Sequence, residues 1–174
     1  MKHRILLIAS AILVVGALVA SSTRVFAANS KKKVTTQQNL KYFKRIVMST
    51  PYDVHFVQGD KNVVKLVGPQ AEVASVVLRV SGETLYIERA TRRSRMFFTS
   101  SDDVDIYVTS PDLTQLEIKG SGDFEANRRV DTDQLTVSIN GSGDIDFKDV
   151  ICDKLEASIS GSGDIDFGKV ECLR

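Results

Sequence analysis

Apolar and polar residues alternate along most of the chain from about residue 42 onward, and helical periodicity is nearly absent. The alternating runs are short and are separated by turn-forming pairs such as Gly59-Asp60 and Ser81-Gly82. Period-two runs of this kind are typical of strands with one buried face. The pattern predicts an all-β protein that begins with β-hairpins and has one helical turn from Pro69 to about Ser75. The alternating apolar positions are Ile46 and Met48, Val54 and Phe56, Val64 and Leu66, Leu78 and Val80, Leu85 and Ile87, and Val104, Ile106 and Val108.

The C-terminal third contains an internal repeat with a period of twenty residues. Residues 135–154 align without gaps with residues 155–174, and both copies contain the heptapeptide GSGDIDF, at 141–147 and 161–167. A weaker copy begins at Gly120. A unit this short cannot bury its apolar face alone, so its copies must stack. We therefore expect a right-handed parallel β-helix-like solenoid, in which each strand pairs with its copy in the next coil about 4.8 Å away.

Stacking in this register sorts the repeat into inward and outward columns. A slip of one residue would exchange the two sets, so the pattern specifies the register as well as permitting it. The predicted inward columns are Leu116, Val137, Ala157; Ile118, Ile139, Ile159; Phe124, Ile145, Ile165; Ala126, Phe147, Phe167; Val150, Val170; and Cys152, Cys172. The predicted outward columns include Asp123, Asp144, Asp164 and Glu125, Asp146, Asp166.

The Gly-Ser-Gly-Asp series at 120–123, 141–144 and 161–164, here called the glycine motif, is predicted to form the corner of each coil. Glycine suits a corner where φ is positive or where backbones crowd together. Ser and Asp side chains can bond the backbone amides that a turn leaves open. The glycines assigned this structural role are Gly120, Gly122, Gly141, Gly143, Gly161 and Gly163.

The N-terminal segment reads as a secretory signal, because Lys2-His3-Arg4 precedes a run of apolar or small residues. We expect cleavage after Ala27, and retention of the segment as an anchor is the alternative. Residues 28–41 then form a flexible leader, and residues 42–174 form a single domain without a transmembrane segment. Loss of three basic and no acidic residues takes the formal charge from +1 to −2, which disfavours nucleic-acid binding. The predicted location is periplasmic, cell-surface or extracellular.

An exported chain with N-terminal hairpins and a repeated Ile-Ser-Gly-Ser-Gly-Asp-Ile motif resembles the bacterial GIN-domain family, a domain of unknown function associated with autotransporter adhesin heads. The resemblance covers roughly residues 42–174, and the glycine motif is its specific part. It implies a parallel β-helix-like fold in an envelope or extracellular protein, and it carries no catalytic residues over to this chain.

The strongest candidates for chemistry are six carboxylates predicted on neighbouring outward positions. Like charges about 5 Å apart repel by roughly 3 kcal/mol at an effective dielectric of 20, so a counterion would stabilise them. Calcium fits because it accepts many oxygen ligands with loose geometry, and Asp144, Asp146, Asp164 and Asp166 are its candidate ligands. The alternative is structural, with the motif aspartates bonding turn amides. The six candidates are Asp123, Glu125, Asp144, Asp146, Asp164 and Asp166.

Cys152 and Cys172 share a predicted column. Stacked coils would bring their Cα atoms within the range that a disulfide tolerates, and an exported protein meets oxidants. Directly stacked side chains nevertheless point in the same direction, so a disulfide and two buried thiols both remain open.

Two further features, His55 and segment 89–98, have structural rather than functional explanations. His55 alternates with Val54 and Phe56 and is predicted to be exposed, without identifiable partners for a metal site or a catalytic triad. The basic and aromatic segment 89–98 is predicted to be a long hairpin connection rather than a surface that binds anions.

These features favour a non-enzymatic envelope or surface module that binds a glycan or a surface protein, or that self-associates through its C-terminal coil. Solenoids suit this role because repeated outward residues create an extended surface. One alternative is a polysaccharide-degrading β-helix enzyme, which would use paired carboxylates. The other is a structural envelope protein without a ligand. Apart from calcium, no cofactor is implied.

Overall fold

The computed structural model describes residues 32–90 and 104–173. In this part of the chain, twelve strands and one short helix are present. In order they are β1 (Lys33–Asn39), β2 (Arg45–Ser49), β3 (Val54–Gln58), β4 (Val63–Pro69), α1 (Gln70–Val73), β5 (Val76–Ser81), β6 (Thr84–Arg89), β7 (Asp105–Ser110), β8 (Gln115–Ile118), β9 (Phe124–Ile139), β10 (Ile145–Ile159), β11 (Ile165–Phe167) and β12 (Val170–Cys172). The signal prediction falls outside the described residues.

All twelve strands belong to one curled sheet that mixes parallel and antiparallel pairs. The strand order is β1-β4-β7-β3-β9-β8-β2-β6-β5, and β10 joins β9, β11 and β12. The all-β prediction is therefore correct, whereas the right-handed parallel β-helix-like solenoid is wrong. Antiparallel pairing of β1 with β4, β4 with β7, and β5 with β6 gives the sheet a half-barrel character that a purely parallel coil lacks.

The difference arises because the N-terminal strands do not form a separate hairpin unit. β2 lies between β6 and β8, and β3 lies between β7 and β9, all in parallel pairs. These pairings join residues as far apart as His55 and Glu125, 70 positions along the chain. The entropy of loop closure grows only slowly with loop length, so sequence distance does little to exclude such partners.

The repeated segment does stack in parallel and in the predicted register. Ile145 pairs with Phe124 on one side and with Ile165 on the other. β9 and β10 each run from one glycine motif to the next. They pair with each other in parallel, with one register irregularity between Phe147 and Asp149. The in-register pairs also include Ile118 with Ile139, Ile139 with Ile159, Leu116 with Val137, Val137 with Ala157, Val150 with Val170, and Cys152 with Cys172.

The core consists of apolar rows that run across the strands. One row places Leu66, Ile106, Val54, Phe124, Ile145 and Ile165 on adjacent strands from β4 to β11. Phe124, Phe147 and Phe167 follow one another with ring centroids 5.4 and 5.5 Å apart. Offset aromatic contacts at this spacing add to the free energy gained from burial. The core is thus continuous from the N-terminal strands into the repeat.

β1 corrects one prediction, because residues 33–39 were expected to belong to a flexible leader. They pair with β4 over their whole length. The strand has no hydrophobic alternation because it lies at the sheet edge with nearly all its side chains exposed, so backbone hydrogen bonds rather than a buried face hold it. The helical turn predicted from Pro69 is confirmed as α1. No helix within the described ranges is long and apolar enough to span a membrane.

Candidate functional site

The glycine motif forms the corner at which successive strands approach most closely. A Cβ atom on Gly141 would lie 2.0 Å from the carbonyl oxygen of Gly120, and one on Gly143 would lie 2.2 Å from that of Gly122. Among the described residues, Gly82 and Glu83 are the positions with positive φ, so crowding and not backbone handedness requires glycine here. The close approach of neighbouring backbones is therefore the feature that supports the predicted structural role of these glycines.

Aspartates at the corner form a ladder in which each side chain bonds the next strand. Oδ1 of Asp123 accepts the backbone N–H of Asp144 at 2.8 Å, and Oδ1 of Asp144 accepts that of Asp164 at 2.8 Å. In return, the carbonyl of Asp164 accepts the N–H of Ile145 at 2.9 Å. Asp123 and Asp144 therefore satisfy turn amides, as the structural alternative for the acidic columns proposed.

Asp53 is an additional member of this ladder that lies outside the sequence repeat. Its Oδ1 accepts the N–H of Asp123 at 3.1 Å. Thr50 and Tyr52 occupy the places of Gly120 and Gly122, since Cβ atoms on those glycines would meet their backbones. The detectable signal was an aspartate followed by apolar, polar and apolar residues, as in Asp53-Val54-His55-Phe56. We call Asp53, Asp123, Asp144 and Asp164 the aspartate ladder.

The motif serines do not share this role. Ser142 donates its backbone N–H to Gly120, and Ser162 donates to Gly141, but no hydrogen bond of a motif serine side chain occurs among the described residues. Their side chains are exposed. The expectation that Ser and Asp would both cap the turn is thus correct only for Asp.

A row of polar and aromatic side chains lies beside the aspartate ladder on the solvent side of the sheet. His55 stacks on Tyr107 with ring centroids 5.0 Å apart, and its Nδ1 lies 3.1 Å from Oε2 of Glu125. The Nζ atom of Lys65 lies 4.5 Å from the centroid of the Tyr107 ring. These side chains lie side by side on neighbouring strands of the sheet. We call Lys65, Tyr107, His55, Glu125, Asp146 and Asp166 the outer row.

The ladder and the outer row border an open groove of about 260 Å³. Five carboxylates and one imidazole line it, so its potential is strongly negative. No described residue forms a hydrogen bond or ion pair with the side chain of Asp146 or Asp166. Those side chains are exposed and available to a ligand. The lining residues are Asp53, Val54, His55, Asp123, Phe124, Glu125, Asp144 and Asp146.

The structure brings four of the six predicted carboxylates to the groove, while Asp164 continues the aspartate ladder and Asp166 continues the outer row. Their role in binding stays a prediction, as does the calcium site at Asp144, Asp146, Asp164 and Asp166. Across residues 32–90 and 104–173, no three His, Cys, Asp or Glu side chains converge closely enough to hold a metal ion. Two of the predicted calcium ligands are also joined through the ladder bond from Asp164 to Asp144.

A buried polar cluster lies where α1 meets the first corner. The hydroxyl of Tyr52 donates to Oε2 of Glu72 at 2.5 Å, and Nη2 of Arg89 lies 2.9 Å from the same oxygen. Burial, followed by the hydrogen bond to Glu72, raises the pKa of Tyr52 above its ordinary 10.0. The sequence offered no signal for this cluster, because its members come from a corner, a helix and a strand.

Most of the basic and aromatic segment 89–98, namely residues 91–98, lies outside the described residues.

The two cysteines are neighbours at the far end of the repeat. Their Sγ atoms are 3.3 Å apart, in contact but without a covalent bond. Cys152 is 3% exposed, and burial, followed by its contact with Cys172, raises the pKa of its thiol to about 11. The disulfide prediction is therefore compatible with the placement of the side chains but stays a prediction.

The last strands expose residues whose counterparts one repeat earlier are buried. Ile139 is fully buried, whereas Ile159 is 49% exposed. Val170 and Leu173 are also exposed. A shallow depression of about 350 Å³ is lined by Ala157, Ser158, Ile159, Ile165 and Phe167. We call this surface the open end, and it is where the sequence predicted self-association.

The described residues form an all-β domain in which repeated strands pair in parallel and a polar row lies on the surface. Residues 42–173 match the family described as putative auto-transporter adhesin, head GIN domain. The chain belongs to this family, as the glycine motif indicated. No curated protein shows a significant sequence match to the chain.

Three solved structures illustrate the fold that this chain shares with bacterial proteins. A putative adhesin from Parabacteroides merdae has a TM-score of 0.72 at 17% identity, over 81% of this chain and 58% of that one. A putative lipid binding protein from Parabacteroides distasonis has a TM-score of 0.71 at 22% identity, over 81% and 60%. A putative adhesin from Bacteroides fragilis has a TM-score of 0.55 at 18% identity, over 82% and 98%. This chain thus spans only about three fifths of the first two neighbours, and the likeness establishes the fold.

Proposed function

We propose that this chain is a non-enzymatic, exported binding module of the cell envelope that contacts its ligand through the outer row and the adjoining groove. The observation that carries the proposal is the in-register pairing of Glu125, Asp146 and Asp166 on neighbouring strands. Their backbones are held by the sheet, so a ligand would meet side chains at a fixed spacing of about 4.8 Å. Membership of a family described as adhesin heads supports the same role.

The hydrogen bonding of the acids argues against hydrolysis. A glycosidase needs one carboxyl group to donate a proton and another to act as base or nucleophile. Here Oδ1 of Asp123 and Oδ1 of Asp144 each accept a backbone N–H group, so these atoms serve the corners of the sheet rather than a substrate. Asp146 and Asp166 recur with the repeat, as expected of a displayed surface.

The charge of the groove limits the class of ligand. Carboxylates repel sulfated or sialylated glycans but accept hydrogen bonds from sugar hydroxyls and from ammonium groups. Tyr107, 40% exposed, adds an aromatic edge beside the acids. We therefore propose a neutral or amine-bearing glycan as the ligand. Long-range repulsion makes discrimination against anionic glycans strongest at low ionic strength.

A glycan and host-matrix array, run with and without calcium, tests this function. Wild-type protein should bind neutral or amine-bearing glycans, and the triple variant Glu125→Gln, Asp146→Asn, Asp166→Asn should lose at least about tenfold in affinity, or about 1.4 kcal/mol. The matched control is Asp133→Asn with Asp153→Asn, which removes exposed carboxylates outside the groove. Equal binding by both variants would refute the outer row as the contact surface.

The same experiment separates the other functional hypotheses. A ligand-free envelope component gives no signal on the array, with or without calcium. A polysaccharide-degrading enzyme releases reducing or unsaturated ends from bound polysaccharide, which a colorimetric assay detects. Binding that requires calcium would support the cation predicted from the sequence, and binding in the presence of a chelator would reject that requirement.

A further inference from the structure

We propose that Cys152 and Cys172 are a redox-active thiol pair that exchanges with a small disulfide and closes into a bond pinning β12 to β10. The two residues are in-register partners in a parallel strand pair, which places their Cα atoms about 4.8 Å apart, inside the range for a disulfide. Their Sγ atoms already touch at 3.3 Å. A shift of about 1.2 Å brings them to the length of an S–S bond.

β12 is the element whose attachment this bond would change. It contains three residues and pairs only with β10 among the described strands. The carbonyl of Cys152 accepts the N–H of Leu173 at 3.2 Å, at the end of this pairing. Val170 and Leu173 are exposed, so little apolar burial holds the segment. A covalent link across one repeat would therefore suppress local opening of β12.

Reagents reach the pair through a cleft of about 280 Å³. Cys172 is the more exposed of the two thiols and lines this cleft together with Cys152. In the first step the Cys172 thiolate attacks the reagent's S–S bond, forms a mixed disulfide and expels one reagent thiolate. The Cys152 thiolate then attacks the Cys172 sulfur and expels the second. Two protons pass from the cysteines to the two leaving thiolates, so the protein is oxidised and the reagent is reduced.

The charge around the cleft determines which disulfide reacts faster. Four acidic side chains line it, of which Glu171 is paired with Lys169, and within the described residues the cleft has no basic lining residue. Cationic cystamine is therefore attracted, whereas anionic oxidised glutathione is repelled. We expect cystamine to react at least about tenfold faster at low ionic strength, and the ratio to shrink as salt is added. The four acids are Asp131, Asp133, Asp153 and Glu171.

The pH dependence follows from the need for thiolates. Because burial raises the pKa of Cys152 to about 11, only a small fraction of it is ionised near neutrality. Burial, the largest cause of the raised pKa, persists after Cys172 has formed the mixed disulfide, so ring closure should accelerate as the pH rises above 7.

Intact-protein mass spectrometry tests the proposal on the reduced wild-type protein treated with cystamine. The expected product has lost two hydrogen atoms, carries no cystamine half, and resists thiol alkylation after denaturation. The variant Cys152→Ser should stop at the mixed disulfide on Cys172. Hydrogen exchange of residues 168–173 should slow at least about tenfold on oxidation.

Several outcomes would overturn the proposal. These are a wild-type protein that keeps the cystamine adduct, one that links two chains covalently, or one that does not react. The wild-type measurement requires no variant to fold. The variant Asp133→Asn with Asp153→Asn tests the electrostatic part of the proposal. It should lower the ratio of the cystamine rate to the oxidised glutathione rate. An unchanged ratio would show that these acidic side chains do not select between the two reagents.

Discussion

The backbone N–H of Asp164 donates a 2.8 Å hydrogen bond to Oδ1 of Asp144, one repeat earlier in the sequence. The same bond joins Asp144 to Asp123 and Asp123 to Asp53. A side-chain oxygen at each corner thus takes the place of the carbonyl that a straight parallel strand pair would supply.

This ladder predicts different effects for two substitutions of Asp144. Asp144→Ala removes the acceptor for the Asp164 N–H and should lower the free energy of unfolding by about 1–2 kcal/mol. Asp144→Asn keeps an oxygen acceptor and removes one of several neighbouring negative charges, so it should cost less than about 0.5 kcal/mol. Urea unfolding of both variants measures the difference. Equal losses would mean that charge rather than the hydrogen bond matters.

Close approach at the corner predicts that Gly143→Ala is destabilising. Its Cβ would lie 2.2 Å from the backbone oxygen of Gly122, and backbone cannot move away as a side-chain end can. We expect a loss of about 3 kcal/mol, the upper end of typical overpacking costs. The control is Ser142→Ala, at the exposed position between the two glycines, which should change stability by less than about 0.5 kcal/mol. Thermal and urea unfolding provide the measurement.

The buried hydroxyl of Tyr52 predicts a pH-dependent contribution to stability. Burial and the hydrogen bond to Glu72 raise the pKa of Tyr52 above 10.0, so the folded state holds this proton more tightly than the unfolded chain. The contribution is complete below pH 10 and disappears as the pH rises through the pKa of the folded state. Tyr52→Phe should cost about 1–2 kcal/mol at pH 7.

The difference in unfolding free energy between wild type and Tyr52→Phe should shrink above pH 10. Both proteins contain the same lysines, so lysine titration in this range cancels in the difference. Urea unfolding at pH 7 and at pH 10.5 gives the two values. A difference that is constant with pH would show that the hydroxyl proton does not contribute.

The open end predicts weak self-association. Ile159, Val170 and Leu173 expose apolar surface, and the strand edge beside them has backbone groups that could pair with another chain. Sedimentation velocity should show a larger average mass at high concentration, and Ile159→Thr with Leu173→Ser should abolish this change. The control is Val77→Thr, which alters an exposed apolar residue on the edge strand β5, 41% exposed against 49% for Ile159. A wild-type protein that stays monomeric at every concentration would contradict the prediction.

Part of the site could be read from the sequence and part could not. The repeat placed Glu125, Asp146 and Asp166 in one column, because a fixed period and a strand alternation of two determine which residues share a face. His55, Tyr107 and Lys65 belong to the same row, but strands without a shared motif supply them. Their alternation showed that they lie on strands and gave no information about which strands are neighbours.

The amino-acid sequence by itself determined the all-β class, the parallel register of the repeats, the glycine corners and the family. These features depend on local periodicity and on small residues at fixed intervals, which a single chain displays directly. Only the tertiary structure decided that β2 and β3 extend the stack and that antiparallel strands complete one curled, mixed sheet. Strand edges offer the same backbone hydrogen bonds to many partners, so long-range packing of the whole core selects among them.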